Sequence, residues 1–293
     1  MSVNHYENFP VASLLCPPVL RPAVVAIYRF ARTADDLADE GEVALFDRLE
    51  ALDSLRDGVT ALWADNTVAE RWADILAPLL RVRQRHALPL QPFLDLLSAF
   101  RQDCANPVHP DMASVLDYCA RSANPVGRLM LHLYGVHDPA SQAQSDAICT
   151  ALQLINFWQD LGQDLTRGRL YLPRDLLLQQ HLARDHDLTA DALCRHLQCL
   201  AAHPEGRQTL RAVVAARCQE ARTLMLSGAD LPLRLPGRIG WELRLVVQGG
   251  LRILDHIQAM DHNTALSRPR LGPADLPLLI WRAARQRPQD RQP

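Results

Sequence analysis

The stretch Leu152–Pro173, LQLINFWQDLGQDLTRGRLYLP, decides how the chain is read. Taken as a helix at 3.6 residues per turn, it places Gln153, Asn156, Asp160 and Asp164 on one narrow stripe. Leu152, Leu154, Ile155, Phe157, Trp158 and Leu161 cover the other faces, so the helix is apolar nearly all round and belongs in an interior. Carboxylates without partners are costly to bury. The cost disappears where the stripe faces a wet cleft and binds a cation, which points to a metal site.

The same device recurs upstream. In Ala23–Glu40, AVVAIYRFARTADDLADE, the residues Tyr28, Arg32, Asp35 and Asp39 again share a helical stripe, with Asp36 roughly 100° away. Carboxylates four residues apart repel each other; divalent magnesium between them turns the repulsion into ligation. Magnesium is a hard cation, held by one or two carboxylates together with substrate phosphates. An isolated acidic pair is ordinarily a solvated helix face, but two on unusually apolar helices favour the metal reading.

The totals restrict the class. The 293 residues carry a formal net charge of -2, with 48% hydrophobic and 22% charged residues, an ordinary soluble composition for one large or two ordinary domains. With no excess of basic residues to neutralise phosphates, nucleic acid is not expected as a partner. Arg is present throughout and Lys nowhere, which reads as compositional bias. The seven Cys form no Cys-x-x-Cys pair and are odd in number, so they read as reduced thiols of a cytoplasmic protein. No apolar run approaches the roughly 18 residues of a membrane span, and no signal-peptide pattern opens the chain. The expected location is cytoplasmic, soluble or peripheral to a membrane.

Helical periodicity dominates from end to end. Helices are expected over Ala44–Trp63, Val68–Arg85 and from Pro89 to about Cys104; Met112–Gly135 reads as a pair or a kinked helix broken at Ser122–Gly127. Ala140–Asp164, Pro173–Gln180, Thr189–Ala202, Pro204–Ala229 and Arg238–Ala259 follow, with Thr166–Pro173 as a loop. Without linker composition or a fixed repeat, the reading is a single all-α domain over residues 1–268. Residues 269–293 read as a Pro/Arg-rich tail with an apolar island, Leu276–Ala284. That island, with Trp281 and flanking Arg, either rests on a membrane surface or packs on the helical body; the sequence leaves both open.

Other residues keep two readings. Arg32 suits an intrahelical ion pair or a bidentate diphosphate contact. Arg167, Arg169 and Arg174 around Tyr171 either offset a helix dipole or capture phosphate, the latter favoured by their place beside Asp164. Tyr118, Ser122 and Asn124 precede a helix break that is structural or, facing a cavity, cation-stabilising. His181, His186 and His196 read as surface residues. Gly249-Gly250 is no dinucleotide fingerprint and reads as room for close packing or an apolar ligand, with Gln248 as a candidate polar contact. Together these parts suit ionisation of an allylic diphosphate: cations neutralise the leaving group, Arg holds its oxygens, and an apolar barrel holds the hydrocarbon.

ARTADDLADE, and NFWQDLGQD followed by GRLYLP, resemble the two aspartate-rich regions of the head-to-head trans-isoprenyl diphosphate synthases, the squalene and phytoene synthases among them. HYENFPVAS near the start, the Trp-Gln-Asp form of the second region and VVQGGLRIL are most similar to one bacterial branch, the hydroxysqualene synthases of the hopanoid route. The resemblance runs from Asn4 to Ile257. It implies an all-α isoprenoid-synthase bundle around a central substrate cavity. It implies magnesium (Mg2+) bound by Asp35, Asp39, Asp160 and Asp164 with Asn156, and diphosphate contacts at Arg32, Arg169 and Tyr171. Gln153, Gln248 and, more loosely, Tyr28 and His5 are expected on the substrate side. Gln159 stands where most of the wider family has Arg, a departure that the hydroxysqualene branch shares.

The reaction so implied is presqualene diphosphate plus water giving hydroxysqualene and diphosphate, a carbon–oxygen lyase step without NADPH. A presqualene diphosphate synthase and a hydroxysqualene reductase are then the expected functional partners. Two rivals stay open: condensation of two farnesyl or geranylgeranyl diphosphates, and an inactive helical scaffold.

Overall fold

The structure is a computed structural model that describes residues 16–39, 41, 43–183 and 189–288. Among them every regular element is a helix, in the order α1 (Arg21–Asp39), α2 (Leu45–Asp65), α3 (Ala73–His86), α4 (Gln91–Ala105), α5 (Met112–Ser122), α6 (Asn124–Leu133), α7 (Pro139–Thr166), α8 (Arg174–Gln179), α9 (Ala190–Ala202), α10 (Pro204–Gly228), α11 (Leu231–Arg234), α12 (Gly237–Ala259) and α13 (Leu276–Arg285). The all-α expectation holds.

Local chemistry sets the boundaries. Asp138 and Asp111 cap α7 and α5 by accepting the Ser141 and Ser114 N–H groups, each at 2.8 Å. Thr189 caps α9 through the Ala192 N–H at 3.3 Å. After α7 the chain turns at Gly168, whose φ of +73° suits glycine, and the expected loop follows. The break between α5 and α6 falls where Pro125 makes it necessary: Asn124 there accepts a hydrogen bond from Thr150 Oγ1 at 2.9 Å. A Cβ at Gly127 would lie 2.5 Å from Ser145 Oγ, so a larger residue there would displace the Ser145 side chain where α6 approaches α7.

The helices bury two apolar cores. One is formed by α1 to α4 with Leu129 and Leu133 of α6. The other gathers α5, α7, α9, α10 and α12 around the apolar faces of α7, where Phe157, Trp158 and Leu161 are buried as their pattern requires. Between them lies a cavity of about 620 Å³, lined by α1, α4–α7, α11 and α12.

The segment read as a tail carries α13, which docks on α12 with Leu279 and Ala283 buried. Asp275 fastens it, accepting from Gly272 N–H (2.8 Å), Arg252 Nε (2.7 Å) and His256 Nε2 (3.0 Å). Asp255 adds a second clasp between Arg222 and Arg282, at 2.8 Å to each. The opposite face leaves Leu276, Ile280 and Trp281 exposed. No helix among the described residues is long and apolar enough to cross a membrane.

Candidate functional site

Two helices aim their polar stripes at one end of the cavity. Tyr28, Arg32 and Asp35 of α1 line it, as do Gln153 and Asn156 of α7, while Val24, Ile27, Ile148 and Leu152 line it farther along. The apolar length is the natural place for hydrocarbon, the polar end for an anion and its cations.

At the polar end Asp35, Asp36, Asp39 and Asp160 each have a guanidinium partner. Arg32 bridges Asp35 at 3.0 Å and Asp36 at 2.7 Å. Arg169 donates to Asp39, and Arg268 grips Asp160 through Nε and through Nη2, the latter at 3.0 Å. Asn156 donates to the same Asp160 at 3.2 Å. The charge of Arg169 also bears on Asp35, Asp103 and Asp164, so the acidic edges of α1 and α7 flank one guanidinium. Among the described residues no group of His, Cys, Asp or Glu is drawn together as a ready-made chelate; in this arrangement the arginines hold the carboxylates.

Arginines alone do not settle this electrostatic field. Burial, with the neighbouring Asp39 adding to it, pushes Asp35 up to about 6. Burial and the nearby Asp160 push Asp164 up to about 7. Asp103 is pushed up to about 7 by burial, although Tyr118 OH donates to it at 2.8 Å. Asp39, Asp103 and Asp164 all lie in the last turns of their helices, α1, α4 and α7. Each helix C-terminus contributes partial negative charge there. Three such ends and several carboxylates make a field that a hard cation relieves, and the donors are carboxylate and amide oxygens of the kind magnesium takes.

Aromatic rings brace this end. Tyr171 stacks on Phe157 with centroids 3.7 Å apart and planes 8° from parallel, and Tyr118 lies 6.0 Å from Tyr171. Asn106, capping α4, donates to Gly168 O at 2.7 Å and ties that helix end to the loop carrying Arg169 and Tyr171. Ser122, at the helix break, lines the cavity with its Oγ buried and without a hydrogen-bond partner among the described residues.

Several sequence expectations resolve differently. Gln248 does not line the cavity: its amide donates to Gln286 Oε1 at 3.1 Å, beyond the end of α13. The cavity face of α12 is Leu243, Val246, Gly250 and Ile253, at helical spacing, and two residues of rotation turn Gln248 away from Gly250. Gln159 is fully buried and donates to Pro269 O at 2.8 Å, anchoring the returning chain on α7. His5 lies outside the described residues. Asp103 and Arg268 are the residues sequence reasoning missed. Asp103 has no acidic partner at helical spacing within α4, and Arg268 meets Asp160 across 108 residues of chain.

The squalene/phytoene synthase family model matches residues 3–275. Hydroxysqualene synthase from Sinorhizobium fredii is 36% identical over 68% of this chain and 66% of its own length. Hydroxysqualene synthase from Rhodopseudomonas palustris is 42% identical over 58% of this chain and 56% of its own. Presqualene diphosphate synthase from Zymomonas mobilis is 32% identical over 65% of this chain and 66% of its own. The aligned regions thus span about 56–66% of these relatives. The crystal structure of squalene synthase HpnC from Alicyclobacillus acidocaldarius superposes with a TM-score of 0.74 at 34% identity, covering 88% of this chain and 90% of that one. A fold of two helical cores around a long cavity, acidic at one end, thus coincides with a match over nearly the whole sequence: the chain belongs to the squalene/phytoene synthase family.

Proposed function

We propose that the chain is a magnesium-dependent enzyme that converts presqualene diphosphate and water into hydroxysqualene and diphosphate. The observation that carries a prenyl diphosphate reading is the Arg32–Asp35 pair at the polar end of an apolar cavity, continued along the same two helical stripes by the Arg169–Asp39 and Arg268–Asp160 pairs. The choice of reaction leans on the hydroxysqualene synthases, at 36–42% identity.

Asp35, Asp39, Asp160 and Asp164, with Asn156, would hold the magnesium, which when bound supplies Lewis-acid neutralisation of the departing diphosphate. Arg32, Arg169 and Arg268, already positioned by those carboxylates, can turn to phosphate oxygens and match them in bidentate fashion. Tyr28 and Gln153 border the same space and would orient the head group, and Tyr171, stacked on Phe157 beside Arg169, and His5 are assigned to the substrate side as well. The apolar walls hold the hydrocarbon and restrict water. Elimination of diphosphate and capture of the rearranged cation by water is a carbon–oxygen lyase step that needs no NADPH. A presqualene diphosphate synthase would supply the substrate and a hydroxysqualene reductase would consume the product.

A second reading, condensation of two farnesyl diphosphates, is supported by the presqualene diphosphate synthases at 32–35% identity. An inactive scaffold is disfavoured, because a buried acidic cluster is a standing cost that assembly does not require. Product analysis in 18O-labelled water decides, with presqualene diphosphate or farnesyl diphosphate as sole substrate and magnesium present or absent. Labelled hydroxysqualene formed from presqualene diphosphate only with magnesium is the expected result. Consumption of farnesyl diphosphate alone overturns the assignment in favour of condensation.

A further inference from the structure

The cavity does not end on hydrocarbon. Glu242 of α12 lines it beside Ile239, Leu243 and Tyr134, yet its Oε2 is buried and has no hydrogen-bond partner among the described residues. Its level follows from three contacts showing that α7 and α12 run side by side in the same direction. Arg234, just before α12, donates to Gln144 Oε1 at 2.5 Å and to Ser141 Oγ at 3.2 Å, near the start of α7. A Cβ at Gly250 would meet Leu152 and Ile155 at 3.1 and 3.4 Å. Past the end of α12, Thr264 O accepts from Gly162 N–H at 3.2 Å.

Glu242, eight residues before Gly250 in the sequence, therefore sits roughly 12 Å farther toward the start of α7, at 1.5 Å per residue. Asn156, Asp160 and Asp164 lie in the opposite direction. The neighbours agree: the Glu242 carboxylate adds to burial in pushing the Cys16 thiol and the Tyr134 phenol up, and both belong to this end of the molecule. The carboxylate thus stands at the apolar end of the cavity, remote from the arginine–carboxylate pairs.

A carboxylate is a poor floor for a hydrocarbon site unless it excludes something. In a purely apolar pocket one methylene changes kcat/KM by only about 10- to 200-fold, and a longer tail that fits gains from the contact. A carboxylate reverses that sign, because hydrocarbon pressed over it strips water from a charge that already lacks a partner on one oxygen. We propose that Glu242 is the chain-length stop of this site, admitting the arms of a C30 prenyl diphosphate and turning away the C40 homologue built from geranylgeranyl arms. The assignment rests on the prenyl diphosphate reading above, but not on how the resulting cation is quenched.

The test separates charge from bulk and is independent of product identity. Magnesium-dependent diphosphate release is measured with presqualene diphosphate and with its C40 homologue for wild type, Glu242→Leu and Glu242→Gln. Calorimetry gives the Kd of the farnesyl and geranylgeranyl thiolodiphosphates for the same proteins. The expected result in Glu242→Leu, which fills similar space without charge, is a fall of about tenfold or more in the preference for the shorter chain, in kcat/KM and in Kd. Glu242→Gln should fall between, and carries the test should the Leu variant lose its helical fold. An unchanged preference in the folded variants overturns the proposal. A wild type that releases diphosphate from presqualene diphosphate without forming hydroxysqualene overturns the quenching reaction alone and leaves this comparison intact.

Discussion

Replacing Asp103 by Asn should make the magnesium-free protein progressively more stable than wild type as pH rises. Asp103 is held near 7 by burial, against an ordinary value of 3.8, even though Tyr118 donates to it. Between pH 4 and 7 the folded state therefore binds more protons at this site than the unfolded chain, so raising the pH favours unfolding. The penalty is absent below about pH 4, grows to about pH 7 and is constant above. The interval is worth at most about 4 kcal/mol at 1.36 kcal/mol per tenfold change in proton affinity. Coupling to Asp35 and Asp39 spreads part of it, leaving about 2–3 kcal/mol for Asp103 itself. Asn can still accept the Tyr118 hydrogen bond, and its unsatisfied amide hydrogens cost about 1–2 kcal/mol independently of pH. The measurement is urea unfolding in the presence of a chelator at pH 4.5, 5.5, 6.5 and 7.5. The variant-minus-wild-type difference should climb by about 2–3 kcal/mol across that series and level off near its top. A difference that stays flat, or wild type gaining on the variant as pH rises, refutes the account of the acidic end as a field in need of cations.

The remaining predictions concern separate parts of the molecule. Asp160→Ala or Asp35→Asn should lower magnesium-dependent diphosphate release by about 100-fold or more with unchanged helical circular dichroism, since each removes a carboxylate from the leaving-group site; turnover near wild type argues against the site. Gly162→Ala should destabilise by about 1–3 kcal/mol, because its Cβ would lie 2.4 Å from Ala265 O; a variant as stable as wild type shows that the returning segment is not packed there. Burial works against ionisation of Asp275, but its bonds from Gly272, Arg252 and His256 hold it down at about 2, below the ordinary 3.8. It therefore stabilises by roughly 2 kcal/mol above pH 4, an advantage lost as pH falls toward 2, so Asp275→Asn should speed tryptic cleavage within α13 at neutral pH. Finally, should the exposed face of α13 rest on anionic bilayers, Ile280→Ser with Trp281→Ser should abolish co-flotation with phosphatidylglycerol vesicles; a wild type that fails to float leaves α13 with its packing on α12 alone.

What the chain discloses before folding is whatever one helix can state about itself. The break at Ser122–Gly127 is legible because Pro125 lacks an N–H. The bounds of α7 are legible to within two residues, Pro139–Thr166 against Ala140–Asp164, because a periodic apolar pattern and local stop signals coincide. The stripes of α1 and α7 are legible because carboxylates at i and i+4 on otherwise apolar helices are locally costly. Each of these signals lies within a few residues of chain. Where the partner lies far away in sequence, the pattern is silent. Arg268 is an ordinary arginine in a Pro/Arg-rich stretch until Gly162 lets the chain return over α7 and bring it to Asp160. Asp103 is one carboxylate near a helix end until three helix ends meet. Gln248 shows the same limit from the other side: it stands beside Gly249-Gly250 in sequence, but a helix turns about 100° per residue. The face that matters was already marked by Leu243, Val246, Gly250 and Ile253, and weighing periodicity above adjacency would have excluded Gln248 and left Glu242, one residue before Leu243, as the polar group to explain.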